Sequence, residues 1–158
     1  MKAVNFFPFS MMAGAVLLIN SDAMAQNNES KSLLIFPGIW KADMIALNHA
    51  EQTAEKKGTD LMCVSNAVTS ENDLQKTFLQ KFLERQCSVT PLKGGYEYGV
   101  WMYEADMTCG AMSGPVKISG VEDKISVSVK LMGEIGGVQY GKDTSMKYEW
   151  THVSDTCQ

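Results

Sequence analysis

The side chains of this chain with ligating or reactive chemistry are four cysteines, two histidines and a scatter of methionines. Cys63, Cys87, Cys109 and Cys157 contain no CxxC pair, so neither a zinc ribbon nor a dithiol redox centre is indicated. His49 and His152 lie outside any HExxH motif, and no GxSxG nucleophile elbow occurs. A serine, a histidine and an aspartate can be found in almost any chain, so no catalytic residue is assigned on that basis. Met44, Met62, Met102, Met107, Met112, Met132 and Met146 would suit Cu(I), since soft thioethers select it. They are spread along the chain with no histidine among them, which reads as core packing, so no metal ligand set and no cofactor are assigned. Two sets of residues are informative. The even number of cysteines points to disulfides. Trp40, Trp101, Tyr103, Tyr148 and Trp150 all fall on the mainly apolar side of strand-like runs. They form either an aromatic core or the lining of a pocket, because a curved antiparallel sheet can hold an apolar ligand in its concavity.

The compartment is read from the first residues. Lys2 precedes a short apolar run, 11–19 (MMAGAVLLI), and Ala23-Met24-Ala25 forms a small-x-small site before Gln26. This is the pattern of a secretory signal peptide over residues 1–25, cleaved between Ala25 and Gln26. The run is about half of the ~20 residues a spanning helix needs, and no other run is longer, so no transmembrane span is expected after cleavage. Periplasmic export follows, and all four cysteines lie in the mature part. Loss of Lys2 and Asp22 together leaves the formal net charge at −4. Mild acidity without clustered Lys and Arg argues against nucleic acid as a partner.

Residues 26–32 are polar and are expected to be disordered; a single β-rich domain is expected over 33–158. A short apolar run, 33–36, stops at Pro37-Gly38. Residues 39–49 form the first long strand candidate, and the charged stretch 51–60 (EQTAEKKGTD) reads as a loop. Ser70, with Asp73 three residues on, caps a helix over about 71–85. Leu74, Phe78, Leu79, Phe82 and Leu83 make its apolar stripe. Later runs alternate with period two: Val116 and Ile118, then Ile125, Val127, Val129 and Leu131, then Met146, Tyr148, Trp150 and His152. Residues 133–141 read as a glycine-rich connection. One-sided alternation at short spacing predicts a mainly β (α+β) fold: a single curved antiparallel meander of about six strands with one amphipathic helix.

Residues 86–110 (QCSVTPLKGGYEYGVWMYEADMTCG) read as a hairpin. Gly94, Gly95 and Gly99 are expected to supply its turn, because glycine takes positive φ cheaply. Folding about Tyr98 sets Val89 opposite Met107 and Cys87 opposite Cys109, both cysteines on the apolar face and within bridging distance. Cys63 with Cys157 then follows by elimination. The rival pairing is Cys63–Cys87 with Cys109–Cys157, which would staple the two ends of the helical segment.

The Pro-Gly-x-Trp start (Pro37 to Trp40), Cys63 before a short helix, the cysteine-bounded hairpin, the glycine-marked strands and Cys157 near the end together resemble the exported bacterial family catalogued as domain of unknown function 3617. The likeness covers about residues 36–157. It implies export, mostly in Gram-negative bacteria, and no established biochemical activity. The hairpin tip GGYEYG is longer than usual for that family, and Cys157 follows Ser154-Asp155-Thr156 where relatives commonly have glycine.

These readings favour a non-enzymatic periplasmic protein, either a binder of apolar small molecules or lipids or a module that docks an envelope protein. A copper-binding protein or an uncharacterised enzyme is the alternative.

Overall fold

The computed structural model describes residues 33–157. The signal peptide expected over 1–25, its cleavage between Ala25 and Gln26, and the polar segment 26–32 lie outside the described residues. The chain is mainly β and wholly antiparallel in its pairing. Strands β1 (Gly38–Asn48), β2 (Thr53–Val64), β3 (Ser88–Glu97), β4 (Val100–Cys109), β5 (Met112–Val121), β6 (Lys124–Val129) and β9 (Thr144–Ser154) pair in the order β2-β1-β9-β6-β5-β4-β3. A small hairpin of β7 (Met132–Ile135) and β8 (Val138–Tyr140) hangs from β5. The sheet therefore has nine strands rather than about six. It is also not a simple meander. β3 to β6 run in sequence, but β9 returns between β6 and β1 and joins the N-terminal hairpin to the rest.

Three of the additional elements come from two segments whose sequence hid them. Residues 51–60 are not a loop: β2 starts at Thr53 and pairs with β1 over its whole length. Most of this stretch is exposed on a sheet edge, so burial imposes no alternation on it, and its lysines and glutamates blunt an otherwise free edge. Residues 133–141 contain β7 and β8, whose side chains are mostly exposed and equally free of a burial pattern.

Ser70 caps the helical region, its hydroxyl accepting the Asp73 backbone N–H at 3.1 Å. The region breaks at Leu79 into α1 (Glu71–Phe78) and α2 (Gln80–Glu84). Leu74, Phe78 and Leu79 are buried, and Phe82 packs against the same core. Ring contacts place the helices on one sheet face: Phe78 lies edge-on to Trp40 of β1 and Trp150 of β9, at 5.9 and 5.8 Å between centroids, and Phe82 lies edge-on to Tyr148 of β9 at 6.0 Å. The core is the space between this helical segment and that face.

The β3–β4 hairpin pairs Val89 with Met107, and the register slips by one residue between Pro91 and Lys93. The turn is Tyr98-Gly99, both at positive φ (52° and 85°), the form that matches strand twist. Gly94 and Gly95 are not in the turn; they lie within β3, where Gly94 leaves room for the Glu71 side chain. The disulfides are Cys87–Cys109, with Cα atoms 4.3 Å apart as in a close cross-strand pair, and Cys63–Cys157, at 5.6 Å. The first closes the base of the hairpin. The second ties the end of β2 to the segment after β9.

The Pro-Gly-x-Trp start forms a clasp. The Trp40 indole Nε1 donates to the Phe36 carbonyl at 3.2 Å, and His152 Nε2 is 3.1 Å from the Pro37 carbonyl oxygen, to which it donates. Gly38 has φ 137°, and a Cβ there would collide with the Ser154 carbonyl and with the His152 ring. Glycine is required because the backbone at Ser154 and Asp155 packs directly against this position.

Candidate functional site

Strand pairing explains why the aromatic residues share a face. Across the sheet Trp150 of β9 is opposite Ala42 of β1 on one side and Ile125 of β6 on the other. Tyr103 of β4 faces Ile118 of β5, and Trp101 faces Gly120. In β4 the inward positions Trp101, Tyr103, Ala105 and Met107 are buried, while their neighbours are at least partly exposed. Of the expected aromatic set, Trp40 and Tyr103 are wholly buried, Trp101 and Trp150 nearly so, and Tyr148 partly.

The structure does not gather these five residues into one pocket; it divides them. Trp40 and Tyr103 are core. Tyr103 stacks on Trp101 with ring planes 8° apart, and its hydroxyl accepts a hydrogen bond from the Gln75 side-chain amide. Burial, with the Glu71 carboxylate nearby, raises the Tyr103 phenol above its ordinary value; the Gln75 bond works against this. Trp101 lines an open cleft of about 800 Å³ at one end of the face. Tyr148 and Trp150 line a separate groove of about 210 Å³ beside the helices.

The cleft lies between the segment 33–36, the start of α1 and the β5–β6 turn. Leu33, Ile35, Phe36, Leu74, Trp101, Ile118, Val121 and Ile125 form its apolar wall, with Tyr96 at one side. An isolated bridge, Ile35 to Val68, holds the 33–36 segment in place. The charged residues that line the cleft, Glu122 and Asp123, are both acidic. The sequence shows 33–36 as an apolar run and places Ile118 and Ile125 on the apolar side of alternating strands. What it could not show is that β5 and β6 turn at Glu122-Asp123 beside that run.

The groove is walled by Leu61 and Met62 of β2, by Phe78 and Phe82, and by Tyr148 and Trp150. Burial raises the Tyr148 phenol, Arg85 and Lys81 oppose the shift and Asp60 adds to it. Lys81 is ion-paired with Asp60, and Gln80 donates to Glu84 at 2.7 Å.

No family model, curated protein or solved structure matches this chain.

His49 Nε2 is 2.9 Å from Ser145 Oγ, a serine–histidine pair, but no salt bridge joins a carboxylate to His49 among the described residues, and neither residue lines the cleft or the groove. His152 is held by the Pro37 carbonyl and lies against Trp40, at 5.2 Å between ring centroids. Among the described residues no group of three or more His, Cys, Asp or Glu could hold a metal ion, and Met107 is wholly buried in the core. No helix among them is long and apolar enough to cross a membrane.

Proposed function

We propose that this is an exported, non-enzymatic protein that binds a small apolar ligand or lipid in the cleft beside Trp101. The observation that carries the reading is an open concavity of about 800 Å³ walled by aliphatic and aromatic side chains. That size and lining suit a small-molecule site. The acidic pair Glu122 and Asp123 gives the ligand a direction: its head is neutral or a hydrogen-bond donor, since no cation among the described residues lines the cleft to hold a carboxylate. A curved sheet supports the reading as well. Gln75 and Phe78, one helical turn apart, touch Tyr103 of β4 and Trp40 of β1, which are separated by three intervening strands. At ~4.8 Å per strand a flat sheet would spread those contacts over roughly 19 Å. Oxidised cysteines and the N-terminal Lys-apolar-AMA pattern support export to the periplasm. The resemblance to domain of unknown function 3617 belongs to the same proposal and rests on Pro37 to Trp40 and the order of the cysteines.

The test is organic extraction of protein purified from the periplasm, followed by titration of the delipidated protein with an environment-sensitive apolar fluorophore and displacement by a neutral monoacylglycerol and by a fatty acid. The expected result is saturable binding, displaced better by the neutral lipid. Phe36→Asp and Val121→Asp, at rim positions 42% and 45% exposed, should weaken binding about tenfold without unfolding the chain. An empty extract together with no saturable binding would refute the reading.

A second reading, a module that docks another envelope protein, is favoured by the β7–β8 hairpin, where Met132, Ile135, Val138 and Tyr140 are each about half exposed. Charged substitutions at Ile135 and Val138 that abolish co-purification of a partner, with fluorophore binding intact, would establish it.

A further inference from the structure

The two disulfides differ in access and in what they hold. Cys63 and Cys157 are both exposed, whereas Cys87 is 8% exposed and Cys109 is partly buried against the core. The exposed bridge also spans a strand. In the sheet order β2-β1-β9, Ile39 of β1 pairs with Cys63 on one side and with Ser154 on the other. Cys63–Cys157 therefore joins the two neighbours of β1 across its first residues. Those residues follow closely on the 33–36 segment, which forms one wall of the cleft beside Trp101. The same two neighbours hold that segment. Ile35 exchanges two backbone hydrogen bonds of 3.0 Å with Val68, shortly after the end of β2 at Val64. His152 of β9 donates to the Pro37 carbonyl, and the backbone at Ser154 and Asp155 packs on Gly38.

We infer that Cys63–Cys157 is a redox latch on the cleft: a dithiol reductant that opens it releases the 33–36 segment, and with it one wall of the cleft. Release of ligand on reduction rests on the cleft being the proposed binding site. A thiolate of the reductant attacks one of the exposed sulfurs and forms a mixed disulfide. The second thiol of the reductant then displaces its own sulfur from that mixed disulfide. Cys63 and Cys157 are left as thiols and the reductant as an internal disulfide, with two electrons and two protons transferred. Access selects this bridge, since burial of Cys87 shields the one at the hairpin. The effect is local because the freed segments, 64–68 and 154–157, lie at strand ends. Beyond them the pairing of β1 with β2 and with β9 continues to Asn48, and Cys87–Cys109 keeps the hairpin closed. What loosens is the bridge from Ile35 to Val68, which stands outside any ladder. Opening so short a segment takes far less free energy than unfolding the sheet. Oxidised protein holds its ligand against Leu33, Ile35 and Phe36; reduced protein loses that wall.

The test uses the mature, oxidised protein, uniformly labelled with nitrogen-15 and titrated with dithiothreitol. Alkylation with peptide mapping identifies which bridge opens. Amide exchange at Ile35 and Val68 reports on the segment, and an environment-sensitive apolar fluorophore reports on the cleft. Cys63 and Cys157 should be alkylated at a reductant concentration about tenfold below the one that opens Cys87–Cys109. In that half-reduced protein the Ile35 and Val68 amides should exchange about tenfold faster, at rates independent of low urea, the mark of a local opening. The fluorophore should bind about fivefold more weakly, and reoxidation should restore both. Cys63→Ser with Cys157→Ser should reproduce the half-reduced state without reductant; should that variant not fold, the half-reduced protein carries the same test. Opening of Cys87–Cys109 first, or together with the other bridge, overturns the inference. So does Ile35 and Val68 exchange that stays unchanged, or rises only through urea-dependent global unfolding. An affinity measurable in the oxidised protein and unchanged by reduction overturns it as well. A fluorophore that does not bind even the oxidised protein refutes the proposed function instead, and the exchange measurement, which needs no ligand, still decides the latch.

Discussion

Replacing Gly38 with alanine should damage this protein more than its single added methyl suggests. Gly38 has φ 137°, where an L side chain is strained, by about 1–3 kcal/mol. The added Cβ would also collide with the Ser154 carbonyl, a backbone atom and not the end of a flexible side chain. Relief requires moving the strand end that carries Ser154, and that end is pinned on both sides: β1 pairs Ile39 with Ser154, and Cys157 is bonded to Cys63. Overpacking against rigid structure adds about 1–3 kcal/mol. The combined loss is about 2–6 kcal/mol; with a urea slope of about 2 kcal/mol per molar the midpoint falls by roughly 1–3 M. Equilibrium urea unfolding of the oxidised protein measures this. Gly95→Ala is the control: a Cβ there meets nothing within 4 Å, and the change should stay within about 0.5 kcal/mol. A second control removes the bridge through Cys63→Ser with Cys157→Ser. The freed segment can then yield, so the Gly38→Ala penalty should shrink by about 1 kcal/mol or more, a measurable coupling. A Gly38→Ala loss under about 1 kcal/mol, indistinguishable from Gly95→Ala, would show that the Ser154 backbone does not pack against Gly38 as described.

Three further outcomes are expected. Phe78→Ala removes a ring 5% exposed that lies edge-on to two tryptophans, and should cost about 3–5 kcal/mol by the same unfolding assay. By chain-entropy reasoning, removing Cys63–Cys157 (sequence separation 94) should cost about 4.7 kcal/mol and removing Cys87–Cys109 (separation 22) about 3.4 kcal/mol, so the long-range bridge should matter more; equal losses would point to residual structure in the unfolded chain. Tyr103 and Tyr148 have raised phenol values, so folding favours their protonated forms. Their contribution is complete below the ordinary tyrosine value near 10 and is lost as pH rises through the folded values; absorbance titration should show two late-ionising tyrosines, and stability should decline above about pH 10.

The sequence was most legible where one face had to be buried. Trp101, Tyr103, Ala105 and Met107 alternate with partly or fully exposed neighbours, and the strand they mark is β4, paired through Val89 and Met107 as the hairpin spacing suggested. Ser70 and Asp73 marked the helix start for an equally local reason. Legibility failed where neither face is buried. β2, β7 and β8 have mostly exposed side chains, so period-two alternation has no cause in them, and pairing with a neighbouring strand alone makes them strands. The return of β9 between β6 and β1 was also hidden, since strand order follows from long-range contacts that leave no local mark. The aromatic residues were located on the correct face but not sorted. Whether a tryptophan on that face lines a cleft, as Trp101 does, or is sealed, as Trp40 is, depends on where the helices and the 33–36 segment lie over it.

The position of β9 sets a timetable for folding. β1 and β2 form a hairpin near the beginning of the domain and β3 to β6 form a run in its middle, yet the two groups touch in the sheet only through a strand that leaves the ribosome after both. Until that strand arrives, each half keeps an unpaired edge and an uncovered apolar face, and pairings of such long sequence separation form slowly. The strand that completes the sheet is the last of the described elements to be synthesised, so the sheet cannot close before it emerges.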